Sequence, residues 1–143
     1  MSVAKDDLWE VPPHGAAIGM QMVGQDGPRC IVKIVYADHL VGDPDTGIIH
    51  GGVITALLDN ACGWAVRCHE FWHEGQGMAT LDLRIDYMRP AEPRIDLFAE
   101  AECFKLTRNI AFVRAFAHQG DKDDPVATST ASFMLGTPNE PRS

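Results

Sequence analysis

The feature that most constrains this chain is an apolar stretch over residues 53–66. Its only polar side chains are those of Thr55, Asp59 and Asn60. A helix over this stretch is therefore apolar on nearly every side instead of along one stripe, and such a helix must be buried on most of its surface. We expect the rest of the chain to wrap around one central helix, predicted from Gly51 to Cys68.

The residues outside this helix are typical of six short strands separated by turn residues. Short connections between successive strands favour antiparallel pairing, so the sequence predicts an α+β fold: one central buried helix wrapped by a curved antiparallel sheet. In the strand after the helix, odd-numbered residues from Ala79 to Tyr87 are predicted to share one face and even-numbered residues from Thr80 to Met88 the other. The predicted strands are Ile18–Val23, Cys30–Ala37, Met78–Met88, Ile95–Lys105, Ile110–His118 and Val126–Leu135.

The predicted domain organisation is simple. Residues 1–16 are polar and proline-bearing, so they are interpreted as an N-terminal leader with a short helical turn around Asp7–Val11. Residues 17–143 are predicted to form a single domain. The segment Asp38–Gly47, rich in Gly, Asp and Pro, is predicted to be the loop that leads into the helix.

Composition excludes some classes of function. The 143 residues carry a net charge of −8, so the chain lacks the basic footprint of a nucleic-acid-binding or membrane-surface protein. The N-terminus has no pattern of a secretory signal, and no apolar run reaches membrane-spanning length, which favours a cytoplasmic protein. The four cysteines show no CxxC spacing and are interpreted as reduced core residues. His69 and His73 lack companion ligands, so no metal site is predicted.

The start of the central helix has the composition of a carbonyl-binding site. Gly51 and Gly52 can bring backbone N–H groups close to a ligand, and a helix N-terminus adds unpaired donors and the positive end of the dipole. Such a site suits a developing oxyanion. Asp59 lies on the same helix between apolar neighbours, where an unpaired carboxylate is costly and therefore indicates a functional role.

These motifs resemble a known family. The chain contains His50-Gly-Gly followed by Leu58-Asp-Asn, then a segment from Thr80 to Ala91 (TLDLRIDYMRPA), and later Lys105 to Phe112 (KLTRNIAF). Together they are similar to the hotdog-fold acyl-CoA thioesterases of the PaaI-like, phenylacetate-degradation group, over about residues 17–136.

The resemblance implies roles for individual residues. Gly51 would supply an oxyanion-hole N–H, Asp59 the catalytic carboxylate, and Thr80 a hydroxyl that positions water or the carboxylate. His50 has two interpretations: a general base, or a hydrogen bond that shapes the loop. The family often carries an asparagine shortly before its HGG motif, and the nearest candidate here is Asp43. The motif context also makes four residues candidates for contact with coenzyme A phosphates: Arg89, Lys105, Arg108 and Asn109.

Helix geometry adds an inference that does not depend on the resemblance. Asp59 lies eight residues beyond Gly51, which is ~12 Å along a helix axis. One carboxylate side chain cannot close that gap. If both groups act on one thioester carbonyl, they must come from two subunits whose helices run antiparallel across a two-fold axis, in a homodimer or a dimer-of-dimers tetramer.

The predicted function is hydrolysis of an acyl-CoA thioester, with Asp59 as general base or as nucleophile; the sequence leaves both routes open. No cofactor is expected beyond the coenzyme A of the substrate. Two alternatives remain. Asp45 and His50 have the spacing of hotdog-fold enoyl-CoA hydratases, and a hotdog domain can also bind acyl-CoA without turnover. The acyl group is expected to contact residues drawn from this set: Trp64, Phe71, Trp72 and Met78.

Overall fold

The protein forms one curved antiparallel sheet around one long helix. The computed structural model describes residues 10–73 and 75–137. Its six-stranded sheet has the order β1-β2-β6-β7-β8-β5, and β3 and β4 form a separate two-stranded ribbon. The elements are α1 (Pro13–Ala17), β1 (Met20–Asp26), β2 (Arg29–Ile34), a 3₁₀ turn (Asp38–Leu40), β3 (Val41–Asp43), β4 (Ile48–Ile49), α2 (Gly51–Arg67), β5 (Gly77–Tyr87), β6 (Leu97–Leu106), β7 (Ile110–His118) and β8 (Ala127–Thr137).

The central helix is α2, and it lies against one face of the sheet. Its apolar side chains Leu57 and Leu58 are fully buried, as are Val32 of β2, Leu97 of β6 and Val113 of β7 on the facing strands. Burial on this scale is what the apolar sequence of the helix requires. The predicted fold class, one buried helix wrapped by an antiparallel sheet, is confirmed.

Most element boundaries differ from the prediction by a few residues. The strand Ile110–His118 was predicted with its observed bounds. Strand β1 begins at Met20, two residues later than expected, and continues to Asp26 because the turn is confined to residues 27 and 28. The predicted loop Asp38–Gly47 contains β3 and the 3₁₀ turn. The predicted leader ends in the short helix α1, where Gly15 is buried. The helical turn predicted around Asp7–Val11 falls largely outside the described residues.

The predicted face assignment of β5 is wrong. A β-bulge interrupts the pairing of β5 with β8, because Thr80 pairs with Phe133 and Asp82 with the next residue, Ser132. The extra residue, Leu81, changes the side-chain phase of the strand. As a result Thr80, before the bulge, and Tyr87, after it, both contact α2.

Strand β5 lies at an edge of the sheet and is paired on one side only. It is 11 residues long and carries exposed apolar side chains, with Leu81 48% and Tyr87 53% exposed. A long, exposed apolar edge is a template for pairing with another strand. Among the described residues, no helix is long and apolar enough to cross a membrane.

The opposite face of the sheet carries one buried carboxylate. The side chain of Glu100 is 1% exposed and accepts hydrogen bonds from Lys122 Nζ at 3.1 Å and from the His118 ring at 2.8 Å, with Arg29 3.7 Å away. Burial acts to raise the pKa of Glu100, but the hydrogen bonds from Lys122 and His118 together outweigh it and hold that pKa below its ordinary value.

Candidate active site

A histidine caps the start of α2. The Nδ1 atom of His50 accepts a hydrogen bond from the Gly52 N–H at 2.8 Å, and the His50 carbonyl accepts one from the Val53 N–H at 3.0 Å. Because Nδ1 is an acceptor, the ring proton of the neutral imidazole is on Nε2. Gly52 permits this contact, since a Cβ at this position would lie 2.9 Å from His50 Nδ1. The loop-shaping interpretation of His50 is therefore the one that matches the observed contact.

The cap leaves one donor unused in the first turn of the helix. Gly51 is the first helical residue and is exposed, and no described residue accepts a hydrogen bond from its N–H. An unpaired N–H at the positive end of the helix dipole can stabilise a negative oxygen. The first turn thus presents a single backbone donor, on the residue predicted to supply the oxyanion hole.

Asp59 and Thr80 lie side by side. The Thr80 hydroxyl donates to Asp59 Oδ1 at 3.2 Å. Asp59 is half-buried and follows the fully buried Leu58. Both polar residues open onto a cavity of about 260 Å³ that is also lined by Trp64 and Met78, two of the predicted acyl-group contacts. The carboxylate therefore has a hydroxyl partner and an adjacent cavity whose lining is both polar and apolar.

Cys62 is an alternative nucleophile on the same helix, about one turn beyond Asp59. Burial raises the pKa of its thiol to about 12. A buried, protonated thiol is unreactive at neutral pH. Two carboxylates line the cavity, Asp59 and the exposed Glu10, and Asp59 is the one that receives the Thr80 hydrogen bond.

Gly51 and Asp59 do not meet within one chain. Both belong to α2, and eight residues of helix separate them by ~12 Å along the axis. The structure therefore brings Thr80 to Asp59 but leaves the Gly51 N–H in a different place. Within one chain, the Gly51 N–H and the Asp59 carboxylate are therefore too far apart to contact the same carbonyl group.

The residues predicted to contact phosphates fall into two groups. Arg89 follows the end of β5, where its guanidinium binds the Asp124 carboxylate at 3.2 Å and donates to the Asp124 carbonyl and the Gln119 side chain. Lys105, Arg108 and Asn109 lie at the other end of the sheet, near the start of β5. Ten residues of strand separate the two ends, or about 33 Å.

The remaining predicted residues are also dispersed. Phe71 lines a second cavity of about 590 Å³ together with Arg108 and Asn109, while Trp72 packs against the core. The Asp43 carboxylate accepts a hydrogen bond from the Asp45 N–H at 3.0 Å, so it shapes its own turn.

The alternative pair, Asp45 and His50, is not joined by any contact in the described residues. Asp45 is exposed in the turn between β3 and β4.

Sequence reasoning missed one residue beside the site. The Tyr87 hydroxyl lies 2.6 Å from the Thr55 hydroxyl and donates to the Gly51 carbonyl at 3.1 Å. Strict alternation assigned Tyr87 to the face opposite Thr80, and only the bulge at Leu81 brings both to the helix. The signal available in the sequence was the position of Tyr87 inside the family-like segment that begins at Thr80.

The class of protein follows from this architecture: a long buried helix wrapped by a six-stranded antiparallel sheet is the hotdog fold. A sequence profile of the Thioesterase superfamily matches residues 46–126. The chain belongs to the Thioesterase superfamily.

Individual relatives agree with this assignment. The chain is similar to the medium/long-chain acyl-CoA thioesterase YigI of Escherichia coli K12, with 29% identity over 136 residues that cover 87% of this chain and 86% of the relative. It also resembles a crystal structure of a protein from Pseudomonas aeruginosa, with 39% identity, a TM-score of 0.75 and coverage of 85% and 88%. A putative thioesterase and phenylacetic acid degradation-related protein from Ralstonia eutropha JMP134 has 27% identity, a TM-score of 0.74 and coverage of 87% and 91%. The predicted resemblance to PaaI-like thioesterases is confirmed.

Proposed function

We propose that this protein hydrolyses acyl-CoA thioesters to free acid and coenzyme A at a site shared by two subunits. The observation that carries the proposal is that one helix has both an unused Gly51 N–H at its start and, farther along, a half-buried Asp59 carboxylate that receives a hydrogen bond from Thr80. The superfamily assignment and the names of relatives such as YigI support the substrate class. We place the activity in the cytoplasm.

The shared site requires a homodimer, and the edge strand β5 supports one. Pairing β5 with its copy across a two-fold axis would cover the exposed Leu81 and the free edge of the sheet. The same axis would run the two α2 helices antiparallel, so that Gly51 of one subunit lies near Asp59 of the partner subunit. It would also bring Arg89 of one subunit toward the end of the sheet that holds Arg108 in the other.

The chemistry then divides between the subunits. The thioester carbonyl oxygen accepts a hydrogen bond from the Gly51 N–H, which stabilises the charge that develops on that oxygen. The Asp59 carboxylate of the other subunit either takes a proton from a water that attacks the carbonyl carbon or attacks that carbon itself. In the first route the C–S bond breaks, the acid is released, and the proton taken by Asp59 passes to the departing sulfur. In the second route the C–S bond breaks as a mixed anhydride forms on Asp59, the departing thiolate takes a proton from solvent, and water then hydrolyses the anhydride to release the acid and restore the carboxylate. Thr80 fixes one oxygen of the carboxylate.

The test is thiol release from a panel of acyl-CoA esters by the wild-type protein, Asp59→Asn and a matched control, Asp45→Asn. Removing a positioned base or nucleophile is expected to lower kcat at least ~10²-fold. Asp45→Asn makes the same charge change in an exposed turn and is expected to keep wild-type activity.

Three outcomes contradict the proposal. A folded Asp59→Asn protein with most of its activity removes Asp59 from the chemistry. Loss of activity in Asp45→Asn together with a change in 2-enoyl absorbance indicates the hydratase alternative. Tight binding of acyl-CoA by the wild type without thiol release indicates a binding protein.

A further inference from the structure

The Gly51 N–H belongs to the His50–Gly51 peptide, whose carbonyl accepts a hydrogen bond from the Val53 N–H at 3.0 Å. Gly51 itself has no side chain that limits rotation between this peptide and the next one. Glycine adopts more backbone conformations than other residues, and a preorganised donor must point in one direction. The Gly51–Gly52 peptide is held at its nitrogen, where the Gly52 N–H donates to His50 Nδ1. Its oxygen is the Gly51 carbonyl, and two hydroxyl groups lie beside it.

These hydroxyls belong to Tyr87 and Thr55. The Gly51 carbonyl oxygen is 3.1 Å from the Tyr87 hydroxyl and 3.3 Å from the Thr55 hydroxyl, and the two hydroxyls are 2.6 Å apart. Two hydroxyl protons cannot serve three contacts at once. If Thr55 donates to Tyr87 in the 2.6 Å contact, Tyr87 donates to the Gly51 carbonyl. If Tyr87 donates to Thr55, Thr55 donates to the Gly51 carbonyl. In both arrangements one hydroxyl is bound to the Gly51 carbonyl.

The contacts of Tyr87 extend beyond its hydroxyl. A Cβ built on Gly51 would lie 3.9 Å from the Tyr87 ring, which is ordinary van der Waals contact. The ring therefore lies directly against the first helical residue. The bulge at Leu81 places Tyr87 there, because it puts the side chain of Tyr87 on the same face of β5 as that of Thr80.

We propose that the hydroxyl pair of Tyr87 and Thr55 is a positioning element of the oxyanion hole: by holding the Gly51 carbonyl it restricts backbone rotation at Gly51, so that the N–H of the same residue stays directed at the thioester oxygen. This inference rests on the proposed function. It assigns a positioning role and not a catalytic one, because neither hydroxyl needs to touch the substrate.

The test compares Tyr87→Phe with Tyr36→Phe. The Tyr36 hydroxyl also donates to a glycine carbonyl, that of Gly47 at 2.7 Å, so the two variants lose the same kind of bond at different places. Tyr87→Phe is expected to lower kcat about 5- to 20-fold, since Thr55 can still reach the carbonyl and a misplaced group costs up to ~10²-fold. Its affinity for a non-hydrolysable acyl-CoA analogue is expected to stay within about twofold of wild type. Tyr36→Phe is expected to keep its kcat while losing at least as much thermal stability.

A double variant tests whether Tyr87 acts through Gly51. Gly51→Pro deletes the N–H, so adding Tyr87→Phe to it is expected to lower kcat less than twofold further, because effects on one interaction are not additive. Thr55→Ser, which keeps a hydroxyl, is expected to retain activity, and Tyr87→Phe combined with Thr55→Val is expected to lose more than Tyr87→Phe alone.

The outcomes separate this inference from the proposed function. Thiol release by the wild type with an unchanged kcat in Tyr87→Phe overturns the positioning role alone. Equal losses from Tyr87→Phe in the wild-type and Gly51→Pro backgrounds also overturn it, because the hydroxyl would then act elsewhere. Weaker analogue binding with normal turnover at saturation would make Tyr87 a substrate contact instead. Absence of thiol release in the wild type overturns the proposed function itself.

Discussion

The backbone at Gly51 allows its N–H to be removed with little other change. Gly51 has helical dihedral angles and is the first residue of α2, the position at which proline is best tolerated. The preceding residue, His50, has φ −57° and ψ 133°; this ψ lies in the extended range that a residue before proline prefers and outside the α region that proline disfavours there. A side chain at this position meets no close contact. Gly51→Pro is therefore expected to fold and to lose only the N–H.

The two expected effects of Gly51→Pro have opposite signs. Replacing glycine by proline at a compatible position stabilises a protein by about 0.4–1 kcal/mol, because the unfolded chain loses freedom. Removing one oxyanion-hole donor lowers kcat about 10²–10³-fold, or about 2.7–4 kcal/mol of transition-state stabilisation. The variant is thus expected to be at least as stable as wild type and far slower.

The measurements are thermal unfolding and the kcat of thiol release, with Gly51→Ala as the matched control. Gly51→Ala adds a Cβ and keeps the N–H, so its kcat is expected to remain within a few-fold of wild type. Binding of a non-hydrolysable analogue shows whether the proline ring obstructs the substrate. A stable Gly51→Pro protein with normal kcat, or equal losses in the alanine and proline variants, would refute the role of the Gly51 N–H.

Three further outcomes test the site and the fold. Hybrid dimers of Asp59→Asn and Gly51→Pro subunits are expected to recover up to half of the wild-type activity per dimer, because one shared site carries both substitutions and the other carries neither. Verified heterodimers that recover no activity would place the site within one subunit. Thr80→Val is expected to change stability by less than ~1 kcal/mol and to lower kcat without weakening analogue binding, and unchanged turnover would remove Thr80 from the site. Because the folded-state pKa of Glu100 is lowered, its ionisation stabilises the fold above about pH 4.5, and this contribution is lost as the pH falls further. Glu100→Gln is therefore expected to have a lower unfolding temperature than wild type at pH 7, and the difference between the two unfolding temperatures is expected to shrink toward pH 3. A difference that does not change with pH would contradict the lowered pKa.

The patterning of apolar and turn residues predicted the type and position of the main helix and strands. The apolar run in α2 implied a buried helix, and turn residues placed the strands to within a few residues. The bulge at Leu81 could not be predicted, because one inserted residue is indistinguishable in sequence from regular alternation. It is decided by the pairing of β5 with β8, which is a long-range contact. Because the bulge was not predicted, Thr80 and Tyr87 were assigned to opposite faces of the strand.

The predicted site residues differ in how well local sequence located them. Gly51 and Asp59 lie on one helix, so their separation followed from helix geometry alone. The partners of Arg89 come from a turn that is distant in the sequence, and no local pattern indicated that its guanidinium is already bound to Asp124. Motif context can propose a phosphate contact at such a position, but the surrounding loops decide which groups the side chain meets.

The edge strand β5 contacts α2 at both of the residues proposed to form the site. It holds Asp59 through Thr80 and the Gly51 carbonyl through Tyr87, and seven residues of strand span ~23 Å whereas the eight residues of helix between their targets span ~12 Å. Regular alternation would place Thr80 and Tyr87 on opposite faces of the strand, where they could not both contact the helix. The bulge at Leu81 changes the side-chain phase of the strand between the two residues, so that both side chains reach α2. In a dimer whose sites each combine Gly51 of one subunit with Asp59 of the partner subunit, every β5 strand would support both sites, so a distortion of one strand would reduce activity at both.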